Sequence, residues 1–358
     1  MSEWIIRNIE INDLKGLHYL FESNPTEEDE KIDFNKFSQQ FNHLFKDNIP
    51  GITFLLISVD KNEKVIGSYG IVPYFFKLRQ KIMVVGFPAW LMVDNEYRKK
   101  FLFFELSHQF LNSYKNYKID FIFAYISRLH TVNAHLKLGY SYIADLKVMA
   151  KPINIKNIIR IVVKNPLLRK FAMLFSPFIS LYFNFKGKNY KNYNIEVVND
   201  IYSIDLFLMD ASSSYKCIAQ RNSLIYNWRF KSNPLYNYEI FMLKVNGEIK
   251  GVFVTRRMKI KHLNTLVIVD LIVKFNDNKA LYSILDYCYD KGKNEEYDLV
   301  SLLYNPHLNN FNVLKQSGYI DTNEKVVLIY HNKDSNINLI NNEDLKEWYI
   351  SWFEHDFV

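Results

Sequence analysis

The sequence predicts an α/β (α+β) protein made of two related halves. Three observations carry this. Apolar runs of strand length alternate with stretches of helical periodicity along the chain. The order strand, short loop, helix, Gly-Tyr occurs twice, ending at Gly139-Tyr140 and at Gly318-Tyr319, 179 positions apart. At that offset Tyr125 falls on Tyr304, Leu129 on Leu308 and Asn133 on Asn312. Between the copies lies a basic and apolar stretch without strand alternation, broken by Pro152, Pro166 and Pro177. The expected organisation is a first domain over 1–150, a helical connector over 151–190 and a second domain over 191–358.

In the first half Trp4 to Glu10 reads as a strand, with Asn12 or Asp13 as the N-cap of a helix. Phe34, Phe37, Phe41, Leu44 and Phe45 stand at helical spacing, an aromatic stripe most simply read as core. Strands are expected at Ile52 to Val59 and Val65 to Val72. Lys81 to Val93 reads as two apolar runs either side of Gly86-Phe87-Pro88. A helix over Phe101 to Tyr114, a buried strand over Phe121 to Tyr125, a helix over Thr131 to Leu138 ending at Gly139, and a strand over Ser141 to Ala150 follow. The second half repeats this. Phe241 to Val245 and Ile249 to Arg256 form a hairpin about Asn246-Gly247. Then come a strand over Leu266 to Val273, a helix over Ala280 to Lys291, a strand over Leu299 to Tyr304 and a helix over Leu308 to Ser317 ending at Gly318.

The 358 residues carry a formal net charge of +7, which favours anionic partners, among them CoA, nucleotide sugars, nucleic acid and membrane surfaces. No long run of Lys and Arg appears, so nucleic acid is not expected as a partner. Cys217 and Cys288 lack metal spacing and make no disulfide framework, which suits a reducing cytoplasm. The nine histidines show no metal spacing either, so no metal is expected. Nor is there a Walker motif, HExxH, G-x-S-x-G or G-x-G-x-x-G. The N-terminus has no apolar core of signal-peptide type. The stretch Phe171 to Phe185 is too short to span a bilayer and contains Pro177. It leaves room for weak membrane association, but a buried or half-buried linker helix packed between domains is the expectation.

The stretch with most chemistry runs from Leu91-Met92-Val93-Asp94 through Arg98-Lys99-Lys100 into Phe101-Leu102. An apolar strand, a basic turn and a helix start present backbone N–H groups, a positive dipole end and cationic side chains to an anion. This pattern resembles the pyrophosphate motif of the GNAT superfamily of CoA-dependent N-acyltransferases. Val93, Asp94, Tyr97 and Arg98 match its approach. Phe101 and Phe103 stand where that family carries glycine or a small residue. Phe121 to Tyr125 resembles the family's next strand, and Asn133 to Tyr140 its closing helix. The resemblance implies a tandem GNAT-like fold, each half a mixed, mostly antiparallel sheet flanked by helices. It places acyl-CoA on Leu91, Met92, Val93, Arg98, Lys99, Lys100, Phe101, Leu102 and Asn133. His135 stands where many relatives keep a tyrosine that protonates the leaving thiolate.

The second half has the strand Ile268 to Val273, but no glycine over Lys274 to Lys279, and Leu314 in the place of His135. It reads as having lost the cofactor site and serving substrate binding. Tyr226-Asn227-Trp228-Arg229-Phe230 resembles two-domain GNAT proteins of bacterial surface-polysaccharide pathways. The expected acceptor is the amine of a nucleotide-linked amino-deoxysugar, such as a dTDP-3-amino-3,6-dideoxyhexose, held by Arg221, Tyr226, Trp228, Arg229, Asp270 and Tyr304. Asp270 and His307 are candidates for the base. Two rivals remain: an aminoacyltransferase of the peptidoglycan-bridge type, and a non-catalytic binding protein of the same fold.

Overall fold

The computed structural model describes residues 3–25, 32–186, 194–333 and 344–355. In chain order the elements are β1 (Trp4–Asn8), α1 (Leu14–Ser23), α2 (Phe34–Phe41), β2 (Phe54–Asp60), β3 (Val65–Leu78), β4 (Lys81–Val93), α3 (Leu102–Ser113), β5 (Phe121–Ile126), α4 (Leu129–Lys137) and β6 (Ser141–Pro152). There follow α5 (Ile155–Val162), α6 (Pro166–Phe185), β7 (Asn194–Val197), α7 (Asp205–Ser213), β8 (Cys217–Ala219), α8 (Ser223–Tyr226), β9 (Tyr238–Val245), β10 (Glu248–Ile260), β11 (Leu263–Val273), α9 (Asn278–Asn294), β12 (Leu299–Tyr304), α10 (Phe311–Gln316) and β13 (Ile320–His331). The protein is α/β, with mixed, mostly antiparallel sheet flanked by helices.

The chain forms two compact units. Unit 1 holds Met1–Ala144, Ser232–Leu235 and Val327–Leu339; unit 2 holds Asp145–Lys231, Tyr236–Val326 and Ile340–Val358. In unit 1, β1 to β4 pair antiparallel in sequence order, and β5 joins parallel to β4. In unit 2, β7, β9, β10 and β11 pair antiparallel, and β12 joins parallel to β11. The crossovers between the parallel strands contain α3 and α9, as a parallel step requires. In both halves a short helix runs into a π-helical turn, at Asn42–Lys46 after α2 and at Asn227–Lys231 after α8.

The last strand of each half is exchanged. The strand expected at Ser141 to Ala150 exists as β6, but from Lys147 to Pro152 it pairs with β12 of unit 2. Its counterpart β13 runs on through Val327 to His331 and pairs with β5 of unit 1. Sequence periodicity fixes which face of a strand is apolar, not which strand it pairs with, so the exchange is invisible in the sequence.

Local chemistry explains the element ends. Asp33, Asn165 and Asp277 cap α2, α6 and α9 by accepting backbone N–H groups with their side chains. Gly139 and Gly318 follow α4 and α10 with φ of 93° and 85°, where a side chain would be strained. Asn246 and Gly247, both at positive φ, turn the β9–β10 hairpin. The two apolar runs around Pro88 are one strand. Val84 bonds Asp120 through both its C=O and its N–H, so the even-numbered residues there face β5. Pairing with β5 ends at Gly86. The nitrogen of Pro88 therefore points to an open edge and costs the ladder no bond.

The aromatic stripe of α2 is core. Phe37, Phe41, Leu44 and Phe45 are buried, and the three phenylalanines with Phe21 of α1 enclose Trp90 of β4. On the other side Phe110 stacks on Tyr69 at 3.8 Å and on Phe54 at 5.2 Å. The end of β13 closes this core: His331 lies between the rings of Tyr114 and Tyr140, with its Nδ1 buried and unpaired.

Burial, with Lys115 and Lys333 nearby, pushes the His331 imidazole down to about 4 from an ordinary 6.5. A lowered folded value means the unfolded chain takes the proton first. The stability held above pH 6.5 is then lost as pH falls toward 4. Thermal melts at steps between pH 7 and pH 4 should show a falling Tm, and His331→Gln should shallow that fall.

Candidate functional site

The site in unit 1 is a gap between two strands. β4 and β5 pair only at Val85–Phe121 and Gly86–Ile122, then run on to Val93 and Ile126 without a ladder. A bulge lies in the unpaired part: Gly70 opposes Ala89 and Ser68 opposes Met92, so Trp90 and Leu91 share one partner. Trp90 takes a left-handed φ of 53°, its indole held in the aromatic cage and its carbonyl accepting the Ser68 hydroxyl at 2.7 Å. The bulge resets the alternation of the strand. Asp94 donates its N–H to Ile66 of β3. The residues at odd positions, Leu91 and Val93, thus turn their N–H groups away from β3 toward the open side.

Beyond Val93 the chain makes a tight turn. Asp94 is buried, accepts Lys64 Nζ at 2.9 Å and the Glu96 N–H at 3.0 Å. Burial raises the cost of its charge, but these donors outweigh it and hold the carboxyl below the usual range. Arg98 donates Nε to the Val93 carbonyl at 3.1 Å, which folds its exposed side chain back along the strand end. Lys99 is exposed. Lys100 pairs with Glu3 at 3.0 Å and lies over the Tyr97 ring. Phe101, exposed, stands at the N-cap of α3 with φ 64°. The backbone here adopts the conformation for which the resembled motif keeps glycine, and Phe101 holds it at a strain cost. Leu102 is buried behind it.

Behind this turn stands α4. His135 is buried, with Nδ1 2.9 Å from the Thr131 carbonyl and its ring against Phe103 and Tyr140. Burial lowers its pKa despite the Thr131 carbonyl, so the ring is neutral at pH 7. A neutral ring donating from Nδ1 carries its lone pair on Nε2. Asn133 is exposed on the same helix. A shallow depression on α3, lined by Ile6, Phe104, Glu105, His108, Gln109 and Leu138, takes no residue from β4.

The residues expected to bind substrate all lie in unit 2, and three of them, Arg221, Tyr226 and Asp270, bond one another. Arg221, Tyr226, Trp228, Arg229, Asp270 and Tyr304 are all buried. Arg221 forks onto Asp270 at 3.2 Å from two nitrogens and reaches Glu354 at 2.9 Å. Asp270 also accepts the hydroxyls of Tyr226 at 2.7 Å, Ser351 at 3.0 Å and Tyr349 at 3.1 Å. Arg229 donates to the Phe353 and His355 carbonyls, and the Tyr304 hydroxyl to Asn310 at 2.6 Å. His307 is exposed.

This network occupies unit 2's counterpart of the gap. Counted back from the strand ends, Leu271 stands where Leu91 does and Asp270 where Trp90 does, beside a bulge in β11. The Leu271 N–H donates to the Tyr349 hydroxyl at 2.9 Å, and the Val273 carbonyl accepts from Tyr215 at 3.2 Å. The Leu271 N–H thus has a side-chain partner where that of Leu91 has none among the described residues, while the Val273 carbonyl accepts a side-chain donor as the Val93 carbonyl does from Arg98. Tyr349 and Glu354, from the C-terminal segment, were not singled out by sequence; only the apolar and aromatic run at Trp348 to Phe353 hints at a core role.

Among the described residues no cluster of His, Cys, Asp or Glu could hold a metal ion. Nor is any helix among them long and apolar enough to cross a membrane.

No family model matches the sequence, and no curated protein does. Solved structures do match in fold. N-myristoyltransferase from Saccharomyces cerevisiae, with bound myristoyl-CoA, matches with a TM-score of 0.63 at 14% identity, over 98% of this chain and 84% of its own. A GCN5-related N-acetyltransferase from Anabaena variabilis matches at 0.61 and 12% identity, over 91% and 72%. A protein from Enterococcus faecalis described as a probable N-acyltransferase matches at 0.57 and 9% identity, over 92% and 72%. At these identities the likeness establishes a GNAT-like fold and nothing finer.

Two substitutions test the site's construction. Phe101→Gly should leave stability unchanged or raise it by up to about 1 kcal/mol, because relief of left-handed strain opposes the entropy of an added glycine. Asp270→Ala should cost about 3–5 kcal/mol in urea melts, since it leaves Arg221 with Glu354 as its one carboxylate and removes the acceptor of the buried Tyr226, Tyr349 and Ser351 hydroxyls.

Proposed function

We propose that unit 1 binds acyl-CoA and that the protein transfers its acyl group to an amine. The observation that carries this is the open edge of β4 beside the bulge at Trp90–Leu91, followed directly by the Arg98 turn and the start of α3. The thioester lies along β4 with its carbonyl oxygen toward the N–H groups of Leu91 and Val93. The amine nitrogen attacks the carbonyl carbon, and those N–H groups stabilise the oxyanion that forms. The carbon–sulfur bond then breaks, the thiolate leaves, and the proton shed by the amide nitrogen ends on the sulfur, by way of a base or water, to give CoA. The diphosphate of CoA sits at the turn, on the free N–H groups at the start of α3, with Arg98 and Lys99 beside it. Met92 and Leu102 back this surface, Asn133 borders it, and Lys100 keeps the turn in place through Glu3.

His135 suits proton acceptance better than donation. Its Nδ1–H is committed to Thr131, and burial disfavours the imidazolium needed to protonate a thiolate. For the acceptor we keep the class implied by the two-half plan, the amine of a nucleotide-linked amino-deoxysugar. The buried network of Arg221 and Asp270 then acts as architecture beneath the acceptor site and not as a contact to it. Unit 2, its own strand edge satisfied by Tyr349 and Tyr215, carries no second donor site. The two cysteines, both buried and free, fit the reducing cytoplasm in which CoA esters are made.

Calorimetric titration with acetyl-CoA and with a long-chain acyl-CoA tests the donor site. One saturable site per chain is expected, weakened about tenfold or more in Arg98→Ala through loss of a charge-assisted contact. A folded protein that binds neither ester would overturn the reading. If binding holds, CoA release with a panel of amino-sugar nucleotides, compared with simple amines, decides the acceptor class.

A further inference from the structure

Helix α6 is built the wrong way round for a helix on a protein surface. Its inward face is small or polar: Ala172, Ser176, Ser180 and Asn184, with Met173 and Phe183. Its outward face is large and apolar. Leu167 is 77% exposed, Phe171 63%, Leu174 71%, Phe178 71% and Phe185 71%. Their spacing of three, four and seven puts them in one stripe along a helix about 30 Å long. Pro177 does not break it, because the Met173 carbonyl that a proline leaves without its N–H accepts the Ser176 hydroxyl at 2.8 Å.

The charge of the segment that carries this stripe is of one sign. From Leu146 to Ile195 there are ten Lys and Arg residues and no Asp or Glu. Lys156 and Arg160 on α5, with Lys164, Lys170 and Lys186 at or next to α6, are all exposed. Arg169 ties the start of α6 back to the Val163 and Lys164 carbonyls, which fixes the basic end of α5 beside it. An exposed apolar stripe on a helix whose own segment supplies cations and no carboxylate matches a layer that is apolar inside and anionic at its surface. A second copy of the chain would bring the same cations face to face with these.

We propose that α6 docks the protein on anionic phospholipid bilayers, lying in the plane of the interface with Leu167, Phe171, Leu174, Phe178 and Phe185 among the acyl chains and the lysines at the headgroups. The inference is independent of the acyl-CoA reading.

Co-sedimentation of the full chain with vesicles tests it. Binding to phosphatidylcholine vesicles carrying about a third phosphatidylglycerol should exceed binding to pure phosphatidylcholine by about tenfold or more, and should fall with salt. The triple variant Phe171→Ser, Leu174→Ser, Phe178→Ser, checked for fold by circular dichroism, should lose about tenfold in binding to the anionic vesicles. Lys164→Glu with Lys170→Glu, which leaves the stripe intact, should weaken binding to anionic vesicles alone. The proposal is overturned if the native chain pellets with neither vesicle, or if the serine variant pellets as well as the native chain. It is also overturned if the stripe is needed only for a dimer in sedimentation velocity. Acyl-CoA titration of the serine variant should be unchanged, which separates this outcome from a failure of the donor site.

Discussion

Trp90 occupies a left-handed backbone conformation that few side chains adopt, and the burial of its indole among Phe21, Phe37, Phe41 and Phe45 is what holds it there. From this follow the other features of the unit 1 site. The bulge resets the alternation of β4, so that Leu91 and Val93 turn their N–H groups to the open side. The strand then ends at Asp94, whose bond to Lys64 starts the turn into α3. Arg98 reaches back to the Val93 carbonyl and closes that turn. An aromatic cage contributed by two helices thus sets the direction of backbone donors on a strand, through packing alone.

The two units put one backbone plan to opposite uses. Each has a parallel pair that separates beyond a few residues, a bulge beyond the last paired residue, and a helix that begins after the strand end. In unit 1 the widened edge faces no side-chain partner that satisfies its N–H groups among the described residues. In unit 2 Tyr349 and Tyr215 bond the equivalent edge, and a buried Arg221–Asp270–Glu354 cluster fills the space behind it. A charge cluster removed from water is tolerated only when its hydrogen bonds are complete, and Tyr226, Ser351 and Tyr349 complete those of Asp270. An arginine and an aspartate that look like ligand contacts in a sequence can serve equally as a buried, self-satisfied network in a core.

Helix α6 shows a similar ambiguity in apolar residues. Hydrophobicity at helical spacing says that one face will leave water; it does not say which neighbour receives it. The inward side of α6, with Ala172 and Met173, packs on Ile155 and Ile159 of α5 and leaves most of the large apolar residues outward. The stretch expected to be a buried linker therefore exposes Leu167, Phe171, Leu174, Phe178 and Phe185, within a segment that has no acidic side chain.

The sequence by itself determined the local elements, and for local reasons. Period-two and helical patterns placed β2, β5, β12, α2 and α9; Gly139, Gly318 and Asn246-Gly247 marked turns that need positive φ; the repeat at 179 residues disclosed two halves of one plan. The strand–turn–helix at Leu91 to Leu102 was legible because an apolar run gives way to a basic turn and then to helical periodicity. What tertiary structure decided was everything that depends on which surfaces meet. The exchange of β6 and β13, the left-handed strain at Phe101, the burial of Arg221 and Asp270 against a C-terminal segment some 80 residues away or more, and the outward face of α6 all arise from contacts between parts of the chain far apart in sequence. Residue type fixes what a group can bond to; only packing fixes what is within reach.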